Sequence, residues 1–318
     1  MENKTIAVFG GSGFVGRHLV KRLAERGNRI RVAVRDIESA GFLKPAGDVG
    51  QIVPVAADIC DPSSIAAAMD GADGAVNLVG ILYESGRQTF QSVHADGAAN
   101  VARAAADAGL KRLVHISAIG ADPQSLAEYG RTKAAGEQAV LAAFPGAVVL
   151  RPSVIFGPED GLFNMFAGFT RISAFLPVFG TSQPGGTKFQ PVFVGDVAEA
   201  VVAGLSDSTL DGRTFELGGP TVYSSREIMQ LILKETGRKR ILFPVPLGLL
   251  SMKAFFLEKL PKPLLTRDQV KLLATDNVVS AGAKSLADLG IQPTAAEAIL
   301  PTYLFRYRPG GRARTRST

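Results

Sequence analysis

Apolar residues recur along this chain in two alternating rhythms. Short runs rich in β-branched residues stand at positions 6–9, 30–34, 52–56, 75–79, 113–116 and 148–150. Such runs are the pattern of strands buried on both faces. Between them, helical spacing covers 14–26, 62–69, 90–108 and 127–143, the third rich in alanine, the strongest helix former. Strands separated by helices of this length predict a parallel sheet covered on both sides, with right-handed crossovers. The first 150 residues therefore read as α/β, a doubly wound Rossmann domain. Beyond Arg151 glycine and proline become frequent, as at 156–158 and 183–186. Further strands at 192–194 and 214–217 alternate with helices near 197–205 and 225–236. The expected organisation is a dinucleotide domain over 1–150, with late strands drawn from 187–220. A smaller interleaved cap or partner-contact region over 151–305 and a basic flexible tail over 306–318 complete it.

Composition narrows this picture. With 318 residues, 46% of them hydrophobic, the chain is not a disordered, collagenous or disulfide-built protein. Cys60 stands alone, which fits a reducing compartment. Of the net charge of +6, five come from Arg306, Arg308, Arg312, Arg314 and Arg316, with no acid among them. The rest of the chain is nearly neutral, so a nucleic-acid-binding body is not indicated. Met1 to Thr5 lead straight into the first strand without a charged and apolar leader, so no secretory signal is expected. The most apolar stretch, 241–260, is broken by Pro244, Pro246, Lys253 and Glu258. It falls short of a membrane span, and the expectation is a soluble or membrane-peripheral protein.

Candidate chemistry begins at Gly10-Gly11-Ser12-Gly13-Phe14-Val15-Gly16, a G-x-x-G-x-x-G run directly after the first strand. Gly10, Gly13 and Gly16 permit a tight turn and close approach of a pyrophosphate to the backbone. The helix that follows aims unpaired N–H groups at the phosphates. Arg35 closes the second strand, nineteen residues after Gly16. An arginine there pairs with a 2′-phosphate, which favours NADPH over NADH, whereas an acid would take the ribose hydroxyls. Asp36 offers that competing acid if the strand ends one residue later. Asp58, after the third strand, is placed for the adenine edge, or else Asp58 and Asp61 cap the helix at Pro62.

Tyr129-x-x-x-Lys133 places a phenol and an ammonium on one helix face. A nearby ammonium favours the phenolate, so the pair is a candidate nicotinamide-ribose and carbonyl site. The alternative is an ordinary amphipathic pair. His18, His94 and His115 fall in separate elements, so packing or surface roles are expected and no metal site. No nucleophile-elbow sequence is present.

Gly10-x-x-Gly13-x-x-Gly16, Asp58, Tyr129-x-x-x-Lys133 and Arg151-Pro152-Ser153-Val154-Ile155-Phe156-Gly157 together resemble the extended and atypical short-chain dehydrogenase/reductase superfamily. The resemblance covers nearly the whole chain. It implies cofactor contacts at Phe14, Val15, Ile59, Val79, Gly80, Ser117, Pro152 and Val154 as well, and catalytic positions at Tyr129, Lys133 and Ser117. One departure matters. Reductases of this superfamily place a carbonyl-polarising Ser or Thr about two positions after the strand-end serine, and here that position is Ile119, leaving Ser117 as the substitute. Loss of one such donor costs ~10²–10³ in rate.

A narrower resemblance rests on segments 129–137, 155–164, 190–197, 266–270 and 286–291. These look like the NAD(P)H-binding accessory subunits of respiratory complex I, NADH:ubiquinone oxidoreductase. The resemblance implies a tightly held, mainly structural NADPH and a place among peripheral-arm subunits near the quinone site. The implied location is the cytoplasmic face of a bacterial inner membrane or the mitochondrial matrix side, peripheral rather than spanning. The alternative is a free NADPH-dependent reductase or epimerase acting on a sugar nucleotide, steroid or quinone-like substrate. Segment 242–260, with Leu249, Met252, Phe256 and Leu260 at helical spacing, and the basic tail are candidates for membrane-surface contact. The alternative for that segment is a helix packed on the protein's own core.

Overall fold

The computed structural model describes residues 3–180, 185–261 and 263–311. Gln183, Pro184 and the tail arginines Arg312, Arg314 and Arg316 lie outside the described residues. The chain divides into two compact units, and it passes between them more than once.

The first unit opens with β1 (Thr5–Phe9), α1 (Phe14–Glu25), β2 (Arg29–Val34), β3 (Ile52–Ala56), α2 (Pro62–Met69) and β4 (Gly74–Asn77). It continues through α3 (Gly97–Asp107), β5 (Arg112–Ile116), α4 (Glu128–Ala143) and β6 (Val148–Pro152). The chain then enters the second unit with β7 (Ile155–Phe156), α5 (Leu162–Ile172), β8 (Phe175–Phe179), β9 (Lys188–Phe189) and β10 (Val192–Phe193). It returns to the first unit through α6 (Val194–Ser206) and β11 (Thr214–Leu217). The second unit closes with β12 (Tyr223–Ser224), α7 (Ser225–Thr236), β13 (Ile241–Val245), α8 (Leu247–Leu257), α9 (Arg267–Leu272) and α10 (Ala296–Leu304).

In the first unit seven strands form one sheet in the order β11-β6-β5-β4-β1-β2-β3. Every pairing in it is parallel. The reversal of order beside β1 is the switch point at which a doubly wound sheet opens a crevice at its strand ends. Each helix covers the sheet with one apolar face: α1 buries Leu19, Val20 and Leu23 at spacings of one and three. Phe9, Ile65, Met69, Val101, Leu113 and Val140 belong to one buried cluster under α2, α3 and α4. Of the late strands expected from 187–220, Thr214–Leu217 joins this sheet through β6. Val192–Phe193 instead pairs with Ile155–Phe156 in the second unit.

Two local departures from the sequence pattern have visible causes. The fourth strand stops at Asn77 because the Asn77 side chain accepts the Val79 N–H at 3.1 Å, which turns the chain out of the ladder. The expected helix over 90–108 is a π-helical turn, Gln91–Asp96, followed by α3. Widened turns of this kind recur at functional sites.

Among its described residues the second unit holds three two-stranded ribbons, β7–β10, β9–β12 and β8–β13. Its core mixes aromatic and aliphatic side chains, with Phe156, Phe163, Phe166, Ile232 and Leu300 all buried. Helix α7 is bounded by a capping box, Ser224 with Glu227, and by Gly237 in the left-handed region at φ 64°.

Candidate functional site

The turn after β1 is built as the glycine pattern requires. Gly10 has φ 79°, which a side chain rarely adopts. A Cβ on Gly16 would lie 2.3 Å from Gly10 O and 2.5 Å from Gly11 Cα, so the helix meets the loop backbone directly. Helix α1 starts at Phe14 with Gly13 as N-cap and no side-chain cap. Its first N–H groups, at Phe14 and Val15, are therefore free of a capping side chain and suited to an anion.

Two guanidinium groups belong to this end of the unit. Arg35 is exposed immediately after β2. Asp36, its rival for the ribose, is exposed beside it, and one of its carboxylate oxygens accepts the Glu38 N–H at 3.0 Å. Arg17, one turn into α1, directs its side chain to Gly13 O at 3.4 Å and stacks over Phe42 at 5.0 Å. The sequence pattern did not single out Arg17, because its value lies in folding back over the loop. Asp58 accepts the Cys60 N–H at 2.9 Å, while Asp61 caps α2 through the Ser63 N–H. The cap expected of either residue thus falls to Asp61, and Asp58 organises the turn that holds Ile59 buried.

The loops after β1 and β4 meet, since a Cβ on Gly10 would sit 3.3 Å from Val79 N. From there the cluster continues inward. A Cβ on Gly80 would lie 3.2 Å from Lys133 Nζ and 3.7 Å from His94 Nε2. Helix α4 approaches the π-helical turn so closely that a Cβ on Gly136 would strike His94 O. This contact seats Tyr129 and Lys133 beside His94. The Tyr129 ring is edge-on to His94 at 5.1 Å and to Phe90 at 6.0 Å, and Lys133 Nζ lies 5.9 Å from its centre.

Burial reverses one expectation. Lys133 was expected to favour the Tyr129 phenolate. Desolvation instead pushes the phenol up to about 12 and the Lys133 ammonium down to about 8, against the opposing pull of Glu137. Lys133 is buried and Tyr129 half-buried, and for each the loss of water disfavours the charged form. At neutral pH Tyr129 keeps its proton and is a hydrogen-bond donor. Lys133 donates to Ile116 O at 3.3 Å, at the end of β5.

Of the packing or surface roles expected of His94 and His115, both take the first. Both are buried in this cluster, and burial together with the Lys133 charge pushes each down to about 3. His94 Nε2 accepts the Ile81 N–H at 3.0 Å, and its Nδ1 meets Thr132 Oγ1 at 3.2 Å. His115 Nδ1 faces Asn77 Nδ2 at 3.3 Å. Among the described residues, neither the buried Ser117 Oγ nor the buried His115 Nε2 has a hydrogen-bond partner. Ile119 is buried too, and its N–H is tied to Pro152 O at 3.0 Å.

Beneath Lys133, one helical turn on, lies an ion pair that sequence spacing did not reveal. Arg151 grips Glu137 with both arms, at 2.9 and 2.6 Å, and reaches Glu216 at 3.6 Å. These contacts join α4, β6 and β11. Among the expected cofactor contacts Pro152 closes β6 in the first unit, whereas Val154 belongs to the second. There its N–H is held by Asn277 Oδ1 at 3.1 Å. Among the described residues no group of His, Cys, Asp and Glu is arranged to hold a metal ion.

Residues 6–218 match the NAD dependent epimerase/dehydratase family. Over 316 residues the chain is 37% identical to the mitochondrial NADH dehydrogenase [ubiquinone] 1 alpha subcomplex subunit 9 of Arabidopsis thaliana, covering 96% of this chain and 78% of that protein. It is 35% identical over 305 residues to the mitochondrial NADH-ubiquinone oxidoreductase 40 kDa subunit of Neurospora crassa, covering 96% and 80%. Among solved structures, MoeE5 in complex with UDP-glucose and NAD superposes with a TM-score of 0.70 at 17% identity, over 94% of this chain and 97% of that one. The last likeness concerns the fold.

Proposed function

The chain belongs to the NAD dependent epimerase/dehydratase family and to the family of those complex I subunits, and we propose that it is an NADPH-binding accessory subunit of a respiratory NADH:ubiquinone oxidoreductase. In this reading the cofactor is mainly structural. The observation that carries the subunit reading is the similarity along 96% of the chain, which runs through both units rather than through the phosphate loop alone. The proposed neighbours are peripheral-arm subunits near the quinone site, on the matrix side of a mitochondrion or the cytoplasmic face of a bacterial membrane. No helix among the described residues is long and apolar enough to cross a membrane.

The glycine cradle fits a dinucleotide, since a side chain at Gly16 would fill the space its backbone needs. Gly10, Gly13, Phe14, Val15 and Gly16 would hold the pyrophosphate. Arg35, with Arg17 beside the loop, would pair with a 2′-phosphate. Ile59, Val79 and Gly80 would line the cofactor, with Tyr129 and Lys133 on the nicotinamide ribose. Bound NADPH supplies hydride chemistry; Ile119 supports a holding role instead, because it stands where a carbonyl-polarising hydroxyl would be needed.

Two measurements test the reading. Calorimetry should give tighter binding of NADPH than NADH, and Arg35→Ala should narrow the ratio by roughly tenfold or more, or ~1.5–3 kcal/mol. Gentle detergent extraction followed by native sizing should find the chain in a large membrane complex with its nucleotide retained. Equal affinities in the parent would remove the NADPH assignment. A free chain turning over a defined carbonyl substrate at ~1–10³ s⁻¹ would replace the subunit reading with a reductase or epimerase.

A further inference from the structure

We propose that the interior of the first unit binds one internal water molecule between the His115 ring and the Ser117 hydroxyl. The hydrogen bonds that lead there fix where the protons are. The Val79 N–H donates to Asn77 Oδ1 at 3.1 Å, so the amide oxygen is committed to the backbone and the amide nitrogen points the other way. Asn77 and His115 stand opposite each other in the β4–β5 register, and Asn77 Nδ2 lies 3.3 Å from His115 Nδ1. An amide nitrogen only donates, so His115 Nδ1 accepts. Burial, with the Lys133 charge, pushes the ring down to about 3, which leaves it one ring proton at neutral pH. That proton is therefore on Nε2. His115 is 2% exposed, and among the described residues its Nε2–H has no acceptor.

The Ser117 hydroxyl is in the same condition, 3% exposed and without a partner among the described residues. The Ser117 N–H still bonds to Leu150 O at 2.7 Å, so the pairing of β5 with β6 carries through it. Residues two apart on a strand share a face and leave it ~6.6 Å from each other. His115 and Ser117 make no direct hydrogen bond. A water that accepts from Nε2–H and donates to Oγ spans about 5.7 Å, which matches that spacing. A buried donor left alone forfeits the hydrogen bond it had in solvent, and internal waters settle where such groups converge.

Charge makes the ligand neutral. Lys133, whose charge His115 feels, is drawn on by Glu137. Arg151 lies 2.6 Å from Glu137 and 3.6 Å from Glu216. Two cations thus face two carboxylates, and an ion added here would bring an uncompensated buried charge. Water both accepts and donates, as the ring N–H and the hydroxyl require. It would extend one polar line from Val79, beside Gly10 of the phosphate loop, through Asn77 and His115 to the end of β5.

The test is NMR of the full chain labelled with ¹⁵N at histidine, of which it has three, His18, His94 and His115. His115→Gln identifies the His115 signals by their disappearance. The expected ring is the Nε2–H form, with its Nε2 proton showing a cross-relaxation peak to water. The same peak should persist when the protein is saturated with NADPH, which separates this site from the nucleotide's. Ser117→Ala removes one anchor, about one hydrogen bond, and should shorten the water's residence about fivefold while leaving the ring form unchanged. Circular dichroism checks that the variant folds, and the parent's ring form tests the proposal without it. An Nδ1–H ring in the parent would overturn the proposal, as would an Nε2 proton without contact to water. So would loss of the peak on adding NADPH or bromide, or a folded Ser117→Ala indistinguishable from the parent.

Discussion

Acid should destabilise this protein through His94 and His115 before most of its carboxylates titrate. Both imidazoles are buried and pushed down to about 3 from an ordinary 6.5. Between those values the unfolded chain binds protons that the folded one refuses, so stability falls as pH drops from 6.5 toward 3. At pH 5, about 1.5 pH units below the unfolded value, each histidine costs roughly 2 kcal/mol at 1.36 kcal/mol per unit. The pair therefore removes about 4 kcal/mol, a large part of a typical folding free energy. His94 adds a geometric reason: its Nε2 accepts the Ile81 N–H, and a protonated nitrogen would oppose that donor. Urea unfolding at pH 7 and pH 5 measures the effect as a difference within each protein. His94→Gln and His115→Gln should each shrink the loss by about half of that total, whatever their effect at pH 7. A double variant that loses as much stability as the parent between the two pH values would refute the reasoning. So would an imidazole titrating near 6.5 by NMR.

Other perturbations follow from the same contacts. Arg151→Met should cost ~3–5 kcal/mol in urea unfolding, because it strands the Glu137 carboxylate, 7% exposed, without its bidentate partner. Adding Glu137→Gln should recover part of that loss, and no recovery would show the pair to be uncoupled. Gly16→Ala should lower both thermal stability and dinucleotide affinity, with overpacking alone costing ~1–3 kcal/mol; unchanged binding in a nucleotide titration would contradict the cradle. In the second unit, Tyr303 donates to the buried Asp160 carboxylate, which also accepts the Gly157 and Phe163 N–H groups. Tyr303→Phe should cost ~1–3 kcal/mol by thermal unfolding, and a neutral result would mean the remaining donors suffice.

What the sequence makes legible here is what depends on neighbours in the chain. The strand over 52–56 and the helices over 62–69 and 225–236 fall where apolar spacing and caps put them, since Asp61, Pro62, Ser224 and Gly237 act within a turn of their own positions. The phosphate loop is legible for the same reason: a positive φ at Gly10 and contact between Gly16 and Gly10 are local demands. The strand ended by Asn77 escapes such reading, because it turns on a side chain's choice of partner, and apolar spacing does not register the π-helical turn at Gln91–Asp96. His94, His115 and the Arg151–Glu137 pair escape it more completely. Their partners lie 13 to 38 positions away, and nothing in the spacing says which polar residues will be carried into the interior.

The same distinction explains the site's chemistry. Spacing alone identifies Tyr129 and Lys133 as face partners, but the effect of one on the other depends on how much water remains between them. Folding buries Lys133 and half-buries Tyr129. The phenol retains its proton and the ammonium is weakened, so the pair is suited to donate hydrogen bonds at neutral pH more than to take a proton from a substrate. At the end of β5 the hydroxyl that remains, Ser117 Oγ, is buried without a hydrogen-bond partner among the described residues, and Ile119, two positions on, carries none. A buried apolar side chain there adds no donor for a developing oxyanion. Tyr129, protonated at neutral pH, remains a donor in the cluster, so what the chain lacks beside it is a hydroxyl at position 119, and that lack supports the proposed structural role of the cofactor.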